Sequence, residues 1–156
     1  TARACAVALA VFLTTVSAFA PTGAKAAGDP ASVVRALYID HFAHEQRWDL
    51  TISKHRDAFA PALLALLDED ARRQAANPEE VVGLDFDPMT NMQEEATGYG
   101  VTGTTRDGAD AIVTVRVELG SESQLIRVRL TQVGGSWRVA NLHYDEFDLV
   151  SILKQS

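Results

Sequence analysis

Residues 109–133 read ADAIVTVRVELGSESQLIRVRLTQV, and this stretch decides the fold. In its first half Ala111, Val113, Val115, Val117 and Leu119 alternate with Ile112, Thr114, Arg116 and Glu118. Successive side chains of a strand point to opposite faces, so this period predicts a strand with one face on a core. In the second half, residues 124–133, Ile126, Val128 and Leu130 take the buried face, and Arg127 and Arg129 the exposed one. Downstream, Gly134 and Gly135 mark a hairpin. The next strand carries Trp137, Val139, Leu142 and Tyr144, whose spacing of two, three and two breaks strict alternation and predicts a bulge near Ala140 and Asn141. A bulge there curves the sheet. Asp148 is placed to cap a last short helix bearing Leu149, Val150, Ile152 and Leu153. Upstream, residues 99–105 read as a further strand that turns at Asp107 and Gly108.

The region before the strands has the helical period. Asp29 followed by Pro30 predicts a helix start, since a carboxylate accepts the first turn's unpaired amides and proline lacks the one that has no partner. Val33, Val34, Leu37, Tyr38, His41, His44 and Trp48 then fall in one broad stripe, which predicts an amphipathic helix to about Trp48. Residues 50–57 suit a short helical turn. Pro61 opens a second long helix, with Leu63, Leu64, Leu66, Leu67 and Ala71 facing in and Asp68, Glu69, Asp70, Arg72 and Arg73 facing water; Asn77 and Pro78 stop it. Residues 77–97 show neither period. A connection of that length inside a small domain is expected to cover or build a site.

The first 26 residues, TARACAVALAVFLTTVSAFAPTGAKA, carry one early basic residue, an apolar run and an A-x-A site at Ala24–Ala26, the pattern of a secretory signal peptide cleaved after Ala26. The apolar run is too short to span a bilayer, which takes about 20 apolar residues. Residues 27–156 are then one exported domain, periplasmic or secreted. With 14 Lys and Arg against 21 Asp and Glu, the net charge is -7, so the chain's field repels nucleic acid and anionic membranes. The single cysteine, Cys5, lies inside the signal peptide, which excludes an internal disulfide and a cysteine-rich zinc site.

Helices, a long loop, a curved antiparallel meander and a terminal helix make an α+β domain with the helices packed on one face of the sheet. Phe59–Leu67 (FAPALLALL), Asp87 with Pro88, the strand from Trp137 to Tyr144, and Leu149–Leu153 (LVSIL) together resemble the cone-shaped nuclear transport factor 2-like superfamily. Within it, the chain is similar to a bacterial exported family, domain-of-unknown-function family 3828. The resemblance implies a scaffold that carries isomerases, dehydratases, binding modules and oligomerisation domains. It also implies a homodimer through the open sheet face, near Arg116, Arg127 and Arg129.

On such a cone the polar residues at the mouth would be Tyr38, His41, His44, Asp87, Tyr99, His143 and Tyr144. Enzymes of this superfamily use an aspartate base, or a Tyr, Asp and His set, in an apolar cavity where desolvation raises carboxylate pKa values. That pattern would make Asp87 or His143 a base and Tyr38 a hydrogen-bond donor. His41 and His44, three apart beside Glu45, lack the further ligands of a zinc site, and there is no H-E-x-x-H run. Asp85, Asp87 and Asn91 lack the central glycine and closing glutamate of a calcium loop. No G-x-S-x-G elbow, S-x-x-K run or phosphate loop is present. No metal or cofactor is therefore expected. The favoured expectation is a noncatalytic envelope domain that binds a small apolar ligand or a protein partner through its cone and long loop. The alternatives are a small isomerase or dehydratase, and an immunity-type protein whose acidic surface blocks a basic partner.

Overall fold

The computed structural model describes residues 28–80 and 82–155. The expected signal peptide lies outside them. The order is α1 (Pro30–Ala43), α2 (Trp48–Lys54), a single 3-10 turn (Arg56–Ala58), α3 (Pro61–Ala76), β1 (Gly98–Asp107), β2 (Asp110–Leu119), β3 (Glu122–Val133), β4 (Ser136–His143) and α4 (Leu149–Gln155). The four strands form one antiparallel meander in the order β1-β2-β3-β4. The fold class is thus α+β, with helices first, an antiparallel sheet next and a short helix last. Among the described residues no helix is long and apolar enough to cross a membrane.

The alternation read in the sequence decides which side of the sheet is dry. Ala111, Val113, Val115 and Val117 on β2, Ile126, Val128 and Leu130 on β3, and Trp137, Val139 and Leu142 on β4 are all buried. The opposite side leaves Ile112 and Leu125 well exposed, 38% and 43%. The expected bulge is present: Arg129 pairs with Asn141 but Leu130 pairs with Val139, so Ala140 is the extra residue. A second irregularity lies between Val101 and Gly103 on β1. The hairpin glycines Gly108, Gly134 and Gly135 take φ of 58°, 60° and 77°, the left-handed region that a two-residue hairpin requires. Beyond β4, Phe59 forms a parallel bridge with Val139, and the Ala60 amide donates to the Val139 carbonyl at 2.8 Å, so the segment before α3 shields that edge.

α1 starts as read, with Asp29 accepting from the Ala31 amide and Pro30 in the first turn. Its buried face is Val34, Leu37, Tyr38 and His41. It stops at Ala43, not at Trp48 as the periodicity suggested. Glu45 and Gln46 turn left-handed, at φ of 53° and 50°. The compensation is at Gln46, whose side-chain amide donates to the Ala96 carbonyl and accepts from the Ala96 amide, each at 2.8 Å. That reciprocal pair holds the end of α1 to the strand region and starts Trp48 in a new helix.

α3 departs from its reading at its polar face. Leu63 and Leu67 are buried, Leu64 and Leu66 half-buried, and Ala71 exposed, whereas Asp70, expected in water, is fully buried. Asp70 accepts from Gln74 Nε2 at 2.7 Å, Arg73 Nη2 at 3.2 Å and the Leu84 amide at 3.3 Å. It is an anchor for the long connection. Asp148 caps α4 as expected, accepting from the Ser151 amide and from Asn141 Nδ2. Burial works against its charge, but the hydrogen bonds from Ser151 and Asn141 outweigh this and hold its pKa below the ordinary value.

Candidate functional site

The aperiodic connection is held by side chains that reach it from both layers. Around Asp87 it makes a tight turn: the Asp87 amide donates to the Met92 carbonyl at 2.8 Å, and the Asn91 amide to the Asp87 carbonyl at 2.7 Å. Three successive carbonyls of this turn each receive a donor from elsewhere. Tyr144 donates its hydroxyl to Pro88 at 2.9 Å, Tyr38 to Met89 at 2.6 Å, and Gln124 Nε2 to Thr90 at 2.6 Å. A fourth tie runs from Asn91 Nδ2 to Gln124 Oε1 at 3.0 Å. Such bonds matter because a buried carbonyl without a donor costs free energy comparable to a lost hydrogen bond.

Asp87 is the hub. Its Oδ2 lies 2.7 Å from His41 Nε2 and 2.9 Å from the Thr90 hydroxyl, and its Oδ1 accepts from the Met89 amide at 2.8 Å. His41 Nδ1 in turn lies 3.1 Å from Thr51 Oγ1. The order hydroxyl, imidazole, carboxylate is that of a hydrolytic triad, but Thr51 and His41 have no exposed surface, and the Thr51 hydroxyl also lies 3.2 Å from the Arg47 carbonyl. A nucleophile must reach its substrate, and this one is sealed. Burial pushes the Tyr38 phenol well above its ordinary pKa, with Tyr144 and Asp87 adding to it. Burial likewise raises Tyr144, again with help from Asp87. Both phenols therefore remain donors at neutral pH, as their carbonyl partners require.

Of the seven residues expected at the cone's mouth, the structure brings Tyr38, His41, Asp87 and Tyr144 to this one turn. Tyr99 joins them by ring contact, with centroids 5.3 Å from Tyr38 and 4.5 Å from Phe42. The other two do not join. His44 is exposed beyond the end of α1, with Nδ1 2.8 Å from the Asp40 carbonyl. His143 lies across from Arg127 on the open side of the sheet and lines a groove with Ile112 and Phe147. Arg127, expected in water beside it, is half-buried, with Nη2 3.4 Å from the Tyr144 carbonyl. Sequence reasoning missed Gln46, Thr51, Asp70 and Gln124, polar residues whose partners are 10 to 50 positions away. No local period signals such bonds.

On its solvent side the same connection walls a cleft of about 360 Å³ with the turn after α1. Trp48, Phe86 and Met92 supply apolar surface, and Glu45, Asp85, Asp87, Glu94 and Glu95 supply five carboxylates; no Lys, Arg or His is among the described residues that line it. Asp87 thus both bonds His41 and lines the cleft, with its side chain 13% exposed. Among the described residues no group of three or more His, Cys, Asp or Glu side chains is arranged to hold a metal ion. No family model, curated protein or solved structure matches the chain.

Proposed function

We propose that this chain is a noncatalytic binding domain of the cell envelope whose loop cleft takes a basic segment of a protein partner. One observation carries the reading: five carboxylates and two aromatic side chains share one concave surface that has no cation among its lining residues. A Lys or Arg side chain entering it meets opposite charge on several sides and an aromatic face for its cation. The turn that presents this surface is tied from behind through Pro88, Met89 and Thr90, so the cleft is preorganised and little ordering is left to binding. The envelope location rests on the signal-peptide pattern of the first 26 residues.

A small apolar ligand, the other occupant expected from the sequence, draws less support from a cleft rimmed by carboxylates. The isomerase or dehydratase alternative draws none from the arrangement of its parts. Tyr38 spends its hydroxyl on Met89, and the cleft that Asp87 lines does not include His143, which lines the groove on the open sheet side.

Titration calorimetry with an arginine-rich peptide and its glutamate-rich counterpart tests the proposal. The basic peptide binds at low salt and weakens as salt rises through the physiological range, where the screening length is about 8 Å. The acidic peptide does not bind. Replacing both Glu94 and Glu95 by Gln weakens the basic peptide without unfolding the protein. Basic-peptide affinity that ignores this double substitution overturns the assignment, as does no binding at low salt.

A further inference from the structure

The open side of the sheet carries Arg116, Arg127 and Arg129, and two of these already face a carboxylate. Arg129 Nη2 lies 2.9 Å from Asp110 Oδ2, and Arg116 Nε lies 3.9 Å from Glu118 Oε1. Half-buried Arg127 has no carboxylate partner among the described residues, and its side chain makes only the long 3.4 Å bond to the Tyr144 carbonyl. Most of its N–H donors are therefore unused. His143 stands directly across from Arg127 in the β3–β4 ladder, and residues opposite one another in an antiparallel pair share a face. The His143 ring makes no hydrogen bond among the described residues. Both side chains line one groove of about 400 Å³, inside the usual range for small-molecule sites.

Ile112 and Phe147, 38% and 42% exposed, give the groove its apolar surface. Its wall is the turn after β4, closed by the Tyr144 amide donating to the Phe147 carbonyl at 2.9 Å. The Phe147 ring packs on Tyr144, centroids 4.9 Å apart, so the wall is set before a ligand arrives. Asp145 and Glu146, exposed in that turn, also line the groove, and neither pairs with a cation among the described residues. Asp148, the remaining acid there, is spent on Ser151 and Asn141. A fixed cation and two carboxylates thus border one groove without pairing with one another. We propose that this groove binds a free α-amino acid with an apolar side chain. Its carboxylate takes the N–H donors of Arg127 and His143, its ammonium takes Asp145 and Glu146, and its side chain lies on Ile112 and Phe147. A purely anionic ligand meets the turn carboxylates and a purely cationic one meets Arg127, so the groove's own charges select a ligand that carries both. None of the residues lining the groove lines the loop cleft, which makes the two sites separate.

Backbone amide resonances of His143, Asp145, Glu146 and Phe147 read the site in an NMR titration. The probes are L-leucine, N-acetyl-L-leucine, which lacks the ammonium, and L-leucinamide, which lacks the carboxylate. Leucine is expected to move these amides along a saturable curve. Each of the other two binds about tenfold more weakly, the loss of one charge-assisted contact. Arg127→Gln is expected to weaken leucine by about tenfold and to leave leucinamide, which has no carboxylate to lose, where it was. The double substitution Asp145→Asn with Glu146→Gln, at exposed turn positions, weakens leucine but not N-acetyl-leucine, and it serves if Arg127→Gln does not fold. Amides that leucine does not move up to its solubility limit overturn the proposal. So does leucine affinity that is unchanged in a folded variant of either kind. Leucinamide binding as tightly as leucine overturns it as well, and N-acetyl-leucine doing so would give the groove to the carboxylate end of a peptide instead.

Discussion

The β2–β3 hairpin and the connection from α3 to β1 are both ordered, and by different physics. In the hairpin, ladder bonds run residue to residue while one apolar face, Ala111, Val113 and Val115 opposite Leu130, Val128 and Ile126, leaves water. Its order is local and repetitive. The connection buries little in sequence, mainly Leu84, Met89, Thr90 and Ala96, and is held at single atoms by Tyr38, His41, Asp70, Gln124 and Tyr144. Apolar burial is non-directional and tolerates adjustment, whereas a turn pinned by separate hydrogen bonds depends on each of them. The part of the chain that presents the acidic cleft is therefore the part with the least redundant support.

The largest expected effect falls on the sheet. Trp137→Ala opens a cavity beside α1 and is expected to cost about 3 to 5 kcal/mol, read from the denaturant midpoint. An unchanged midpoint would break the comparison at its root, because it would mean the dry face does not carry the stability. Tyr38→Phe keeps the ring and removes only the donor to the Met89 carbonyl, at a cost of about 2 kcal/mol. Native-state hydrogen exchange sharpens this: the amides of Asp87 and Asn91 are expected to exchange faster while those of β2 and β3 keep their rates until global unfolding.

Gly83→Ala comes next. Gly83 sits at φ of 78°, and an added Cβ would fall 2.3 Å from Asp70 Oδ1. The expected cost is about 1 to 2 kcal/mol, and the substitution should be markedly milder in an Asp70→Ala background, where only the left-handed backbone is left to strain. Equal costs in the two backgrounds would show that Asp70 does not hold the connection.

The smallest effect at neutral pH becomes visible in alkali. Tyr38 and Tyr144 have folded-state pKa values raised by burial, so the unfolded chain releases these two protons first. Their contribution is fully present below about pH 10 and is lost progressively as pH rises from there toward the folded values. The doubly substituted Tyr38→Phe, Tyr144→Phe protein is expected to show a flatter alkaline limb in a plot of stability against pH. A limb as steep as in the unsubstituted protein would place the alkaline loss elsewhere.

Much of the fold was legible because it is written in periods. Strand alternation from Ala111 to Leu130, the 2-3-2 spacing that marks Ala140 as a bulge, the Asp29-Pro30 and Asp148 caps and the glycine hairpins are all local signals, and the structure carries each of them. The candidate site was half legible. Tyr38, His41, Asp87 and Tyr144 drew notice as polar residues on otherwise apolar faces, and they do meet. His44 and His143 carry the same chemistry on paper but point elsewhere, because the left-handed turn after α1 and the strand register set their direction.

What the sequence alone determined is the α+β order, the dry face of the sheet and an acidic, nearly cysteine-free chain, since these depend on nearest neighbours and on counts. Only the tertiary structure decided that α1 ends at Ala43, that Asp70 is buried, and that the Tyr38, Tyr144 and His41 side chains hydrogen-bond to the 87–89 turn. Those outcomes turn on hydrogen bonds between residues far apart in the chain. A buried polar atom takes whichever partner the packed chain brings within about 3 Å, and no periodicity names that partner in advance.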